Sequence, residues 1–271
     1  MRSVKGIVAL LLGVMLAVGA PAAGNAATVE WPVSTKVAWD KAVAEADGDL
    51  AAKMKAQYGE LLSLRSAENG LDEKIKTVHY NNAEALTVTR NKIKQINAAK
   101  LSSLQEQAKK TRERYQPLLD KYKQLNQQIA VARALGNKEV KAALQASADL
   151  LKPAVQAARD AIKNQDEAYK AAKDATAKTA KMIRTTLEDI DAYKVKISAA
   201  KSSVTAAKSA ISPLAKSFAQ SIKKGEAKSA SSSLASILTL YRQLTAHKEK
   251  IYGYEQNISS ILSKAKGQFP A

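Results

Sequence analysis

An all-α fold, an elongated antiparallel helical bundle or coiled-coil rod built on one long central helix, is what this sequence predicts. Three observations carry that reading. The first is a heptad register that runs unbroken from Leu151 to Phe218. One seam reads Val155, Ile162, Tyr169, Thr176, Ile183, Ile190, Ile197, Val204, Ile211 and Phe218. Its companion reads Leu151, Ala158, Gln165, Ala172, Thr179, Thr186, Tyr193, Ala200, Ala207 and Leu214. A β-branched first seam beside a small-residue second seam suits one helix in close contact with neighbours. The second observation is composition: aromatic residues make up 5% of the chain and Ala, Lys, Ser, Leu and Gln dominate, as long helices with thin seams require. The third is punctuation, because Leu135-Gly136-Asn137 and Lys223-Lys224-Gly225 read as helix ends flanked by helical pattern.

Taken in order, residues 1–26 have the layout of a Sec-type signal peptide. Arg2 and Lys5 precede an apolar run from Ile7 to Val18, and small residues follow, with cleavage expected after Ala26 in preference to Ala22. The apolar run falls short of the roughly 20 residues that span a bilayer. Residues 27–35 read as an extended lead-in, since Pro32 disfavours helix before it. The rest, 36–271, is expected to be the helical rod.

Its first helix is expected over about 36–80, with Asn69-Gly70 as an internal weak point. Tyr80-Asn81-Asn82 then punctuates the chain, and Asn81 with Glu84 resembles a capping box opening a second helix over about 82–135. That helix carries its own register through Leu101, Ala108, Tyr115, Tyr122 and Ile129, with Pro117 expected to kink it. Gly136 suits a left-handed cap, and Asn137 suits the start of a third helix over about 138–224. At 1.5 Å per residue the third helix is roughly 130 Å long, and Pro153 and Pro213 are expected to bend or split it. A fourth, over about 226–265, sets Leu234, Ile237, Leu238, Tyr241, Leu244, Ile251, Ile258 and Leu262 on one face, with Gly253 a weak point. Helices one and two are expected against one end of the central helix, the fourth against the other.

Charge narrows the partners. The chain has 43 Lys+Arg against 25 Asp+Glu, a net +18, which implies attraction to polyanions. From Ala192 to Ala271 there are 13 cations and three anions, whereas Thr28 to Glu60 has four cations and six anions. Lys194, Lys201, Lys208, Lys216, Lys223, Lys224 and Lys228 are therefore the candidate polyanion-binding residues. Lysine in place of arginine favours diffuse attraction over bidentate phosphate recognition. An anionic cell-wall polymer is the expected partner; nucleic acid, an anionic membrane surface, a protein partner and self-association satisfy parts of the same argument.

Catalysis has little foothold. His79 and His247 stand apart from each other, and no cysteine is present to form a nucleophile or a disulfide. Neither metal-ligand spacing nor a glycine-rich phosphate loop is found, so no cofactor or metal is expected and the protein reads as a non-enzyme. The pairs Glu188-Asp189 and Asp189-Asp191 lie on a lysine-laced helix and read as solvated surface. Tyr115, Tyr122, Tyr169 and Tyr193 fall on seams and are expected in the core. With a leader, no lipobox cysteine and no second apolar segment, a secreted protein held at the cell envelope by non-covalent contacts is expected. A secreted coiled-coil chaperone or holdase is the alternative. A helical toxin fits less well, for no apolar hairpin beyond the leader is available to insert.

The joints Ala134 to Leu144 and Ile222 to Ala230 share one pattern: helix, glycine, polar pair, lysine, alanine-rich helix. They resemble the helix–turn–helix joints in the helical, wall-polymer-binding N-terminal regions of some Gram-positive surface-layer proteins, which are also Lys- and Tyr-rich. The resemblance implies an envelope-bound helical protein. It assigns no binding residue by position, and the large assembly domain of surface-layer proteins has no counterpart in these residues.

Overall fold

A computed structural model describes residues 33–270, with side chains from Thr35 onward. The leader and residues 27–32 of the expected lead-in lie outside the described residues. Five helices follow in order: α1, Val33–Glu45; α2, Gly48–Gln95; α3, Ala98–Ala134; α4, Lys138–Lys223; α5, Ala227–Lys266. No strand occurs among the described residues, and the protein is an all-α helical bundle.

The joints after α3 and α4 fall where glycine was expected to place them. Gly136 has φ 67, its N–H donates to the Arg133 carbonyl at 3.2 Å, and the Asn137 N–H reaches the Ala132 carbonyl at 3.1 Å. Gly225 repeats this geometry at φ 74, with Gly225 N–H to Ile222 and Glu226 N–H to Ser221. Both are Schellman closures, in which a left-handed residue lets two amides turn back on the last carbonyls. Asn137 also caps α4, its side-chain oxygen accepting the Val140 N–H at 3.0 Å.

Elsewhere the expected boundaries are corrected. Thr35 and the two residues before it are helical, so α1 begins inside the expected lead-in. The first helix does not run over 36–80: it ends at Glu45, and Asp47 caps α2 by accepting the Leu50 N–H at 2.8 Å. Asn69-Gly70 stays helical, since Glu68 and Asp72 on either side are tied to Lys208 and Lys248. Tyr80-Asn81-Asn82 is no break either. Asn82 is buried and its amide is engaged by α5, so it does not compete for its own backbone.

The second helix is divided instead at Asn97, which adopts the left-handed conformation at φ 54. Asparagine tolerates that region better than other residues with a Cβ, and the Asn97 amide is fixed by donating to the Thr176 hydroxyl at 2.9 Å. Pro117, Pro153, Pro213 and Gly253 all lie inside continuous helix, so the prolines split neither α3 nor α4.

The chain forms two units. The first takes residues up to Gly70 and Ser202–His247; the second takes Leu71–Lys201 and Lys248 onward. In the first, α1, the start of α2, the end of α4 and the start of α5 share one core of Trp39, Met54, Leu61, Phe218, Leu234 and Leu244. This corrects the expectation that the first and last helices flank opposite ends of the central one. The Trp39 ring lies 5.6 Å from that of Tyr58 and 5.9 Å from that of Phe218. A void of about 10 Å³ at this core, lined by Leu61, Phe218 and Tyr241, has room for about one water.

In the second unit, α2 and α5 run parallel, as pairs at nearly constant separation show: Asp72 with Lys248 and His79 with Glu255, 176 residues apart in each case. Helices α3 and α4 run antiparallel, joined by Asn97 to Thr176 and Arg112 to Asp166.

Every position of the two heptad seams on α4 is buried or half-buried, while the intervening lysines are exposed. Tyr115, Tyr122, Tyr169 and Tyr193 are half-buried, not core. Tyrosine at these positions packs its ring on the seam and leaves its polar end outward.

Candidate functional site

The chemistry on offer is basic surface, and the end of α4 presents one stretch of it. Lys216 lies about two turns before the end of α4, Lys223 is its last residue, Lys224 is in the turn before Gly225, and Lys228 lies in the first turn of α5. All four are exposed. None forms an ion pair among the described residues, and the nearest acid in sequence is the exposed Glu226. Lys223 and Lys224 sit beside the unsatisfied carbonyls of a helix C-terminus, where positive charge is favoured. The Schellman turn at Gly225 then holds the two helix ends together. These four lysines belong to the first unit.

The other three expected residues are placed differently. Lys208 lies in the same unit but pairs with Glu68 at 3.1 Å, and the Glu68 carboxylate is largely buried. Lys194 belongs to the second unit and pairs with Asp191 at 2.9 Å. Lys201, also in the second unit, is exposed yet engaged within the fold. The seven lysines are thus not one site, and four of them form a cluster by themselves.

Counting charge along 192–271 overstated the basic excess, because acids from earlier in the chain pair with these cations. Glu60 receives Arg242 in a two-pronged contact at 2.7 and 2.8 Å. Lys248, 4% exposed in its side chain, donates to Asp72 at 2.6 Å. Lys196 is held 5.0 Å from the Tyr193 ring centre and 5.9 Å from that of Tyr254, a cation–π arrangement.

A polar network on α2 and α5 was not anticipated. Glu255, 2% exposed, accepts from His79 Nδ1 at 2.8 Å and from the Asn82 amide at 2.9 Å. The same amide donates to the Glu255 carbonyl, and the Ser259 hydroxyl donates to Asn82 Oδ1 at 2.7 Å. Two polar partners, His79 and Asn82, compensate a carboxylate taken out of water. Its signal was present in the pattern of α5: Lys248 and Glu255 interrupt the apolar face between Leu244, Ile251 and Ile258. Charged residues on an apolar face imply partners, but the sequence does not say which.

In the first unit, burial pushes the Tyr241 phenol above its usual range; the nearby Glu68 carboxylate adds to this, while Arg65 and Lys208 oppose it. Among the described residues no group of acidic and histidine side chains is arranged to hold a metal ion. No helix among them is long and apolar enough to cross a membrane.

No protein-family model matches the chain, and no curated protein or solved structure matches it either.

Proposed function

We propose that this is a secreted, non-enzymatic protein of the cell envelope that binds an anionic wall polymer through lysines of its α4–α5 end. The observation that carries the reading is the cluster of Lys216, Lys223, Lys224 and Lys228, exposed and without ion pairs among the described residues. Three other cations of the same unit or its neighbour are matched by acids, Arg242 by Glu60, Lys208 by Glu68 and Lys248 by Asp72. Four uncompensated charges around the α4–α5 joint attract a flexible polyanion without bidentate geometry, which suits lysine better than arginine. The leader-like N-terminus supports export, and with no cysteine the chain holds no lipobox.

The test is co-sedimentation with purified wall, wall stripped of its anionic polymers, DNA and anionic vesicles. Binding to intact wall is expected to fall on stripping. It is also expected to weaken steeply as salt rises to physiological strength, where the screening length is about 8 Å. Reversing Lys216, Lys223, Lys224 and Lys228 to Glu is expected to lower wall binding about tenfold or more with helicity unchanged. Wall binding that ignores both salt and stripping would replace charge docking with a specific protein contact.

A further inference from the structure

The α3–α4 hairpin ends in a surface that the lysine cluster does not explain. Leu135, in the turn itself, is 77% exposed; Val131 and Val140, one on each flanking helix end, are 58% and 47% exposed. With Leu144 and the amides of Gln124 and Gln128 they line an open groove of about 560 Å³. Large aliphatic side chains at the extreme end of a hairpin cannot be covered by either helix of that hairpin. Contiguous exposed apolar surface of this kind marks an interaction site.

The charges around it select the partner. Between Lys121 and Lys141 the cations are Lys121, Lys123, Arg133, Lys138 and Lys141, and the sole anion is Glu139. None of these five cations forms an ion pair among the described residues. An aliphatic tip backed by unpaired cations complements a surface with an apolar interior and an anionic rim. We infer that the α3–α4 tip docks on an anionic lipid bilayer, with Val131, Leu135 and Val140 entering the headgroup boundary and the cations facing lipid phosphates. This is interfacial seating, in which apolar burial and attraction to anionic lipid act together. A second copy of the chain would bring five unpaired cations against five more, which opposes tip-to-tip pairing. The inference is independent of the α4–α5 lysines, which lie in the other unit.

The chain contains no cysteine, so a single one introduced at the tip carries a unique label. Leu135→Cys bearing an environment-sensitive NBD dye is to be mixed with vesicles of phosphatidylglycerol and phosphatidylcholine in equal parts, then with pure phosphatidylcholine. The same dye at Gln105→Cys, exposed on α3 far from the turn, is the control. A blue shift and intensity rise are expected at position 135 with the anionic vesicles, weak with the neutral ones and absent at position 105. Adding Val131→Ser and Val140→Ser is expected to weaken vesicle affinity about tenfold, read as the midpoint of the lipid titration, with dichroism unchanged. Both sites are exposed, so folding is not at stake. No change at 135 with anionic vesicles overturns the inference. So does an equal response at 105, a response that grows with protein concentration alone, or one given by an unfolded polypeptide and not by vesicles.

Discussion

Buried polar side chains set the most demanding conditions on single residues. Glu255 is stable in its site because His79 and Asn82 supply donors. Asn82→Ala leaves that carboxylate with one partner fewer and the Ser259 hydroxyl with only the longer bond to the Glu255 carbonyl. A loss of about 1–3 kcal/mol is expected, read as a lower midpoint in urea with an unchanged slope. Lys248 depends similarly on Asp72, but Asp72 is half in solvent, so Asp72→Asn is expected to cost less than replacing a fully buried partner. Tyr241 gives a pH dependence. Its folded state holds the phenolic proton more tightly than the unfolded chain does, so its contribution is complete below about pH 10 and is lost as pH rises through the raised value. Tyr241→Phe is expected to remove that part of the alkaline loss, checked by thermal melts above and below pH 10.

At the scale of elements, what the sequence disclosed depended on the kind of residue at each joint. Gly136 and Gly225 were legible because only glycine takes positive φ without strain and both are followed by cap-forming or helix-opening residues. Asn97 was not, because an isolated asparagine between helical stretches reads like any polar residue until Thr176 is brought to it from α4. Asn82 misled for the converse reason: its side chain is engaged by Glu255 and Ser259, 173 or more residues away, and Asn81 beside it stays in continuous helix. Asn97→Val is accordingly expected to destabilise by about 1–2 kcal/mol, since a β-branched residue is strained at φ 54. Asn97→Gly is expected to cost less, and the order of the two melting points checks the assignment. Helix α1 rests largely on Trp39 against Tyr58 and Phe218. Trp39→Ala is expected to cost about 3–5 kcal/mol and to raise amide exchange first in residues 35–45.

For the whole molecule, net charge misrepresents where charge is free. The sum of +18 is a property of the sequence, but folding brings Glu60, Glu68 and Asp72 onto basic residues more than 100 positions later. The all-α class was fully legible, because a seam repeating every seven residues is a local signal. The candidate site was legible only in part. Residue type named all seven lysines, yet pairing separates Lys208 from Lys216, Lys223, Lys224 and Lys228, and pairing is a long-range fact. Lys208→Glu would set a second carboxylate against Glu68, so it is expected to lower stability where Lys216→Glu does not. Parallel melts of the two variants decide this.

The α2–α5 contacts carry one more consequence. A seam of aliphatic residues at seven-residue spacing is nearly degenerate: sliding α5 past α2 by seven residues exchanges Leu244, Ile251 and Ile258 for one another at little cost. The Asp72–Lys248 and His79–Glu255 pairs remove that ambiguity, because any slip strands a buried lysine and a buried carboxylate at once. They act as index marks, choosing one alignment among several that apolar packing alone would leave close in energy. Replacing Asp72, His79, Lys248 and Glu255 together by apolar residues should therefore preserve helix content while multiplying amide resonances for the α2 and α5 segments. A single sharp set from that variant would mean that the seams by themselves already define the alignment.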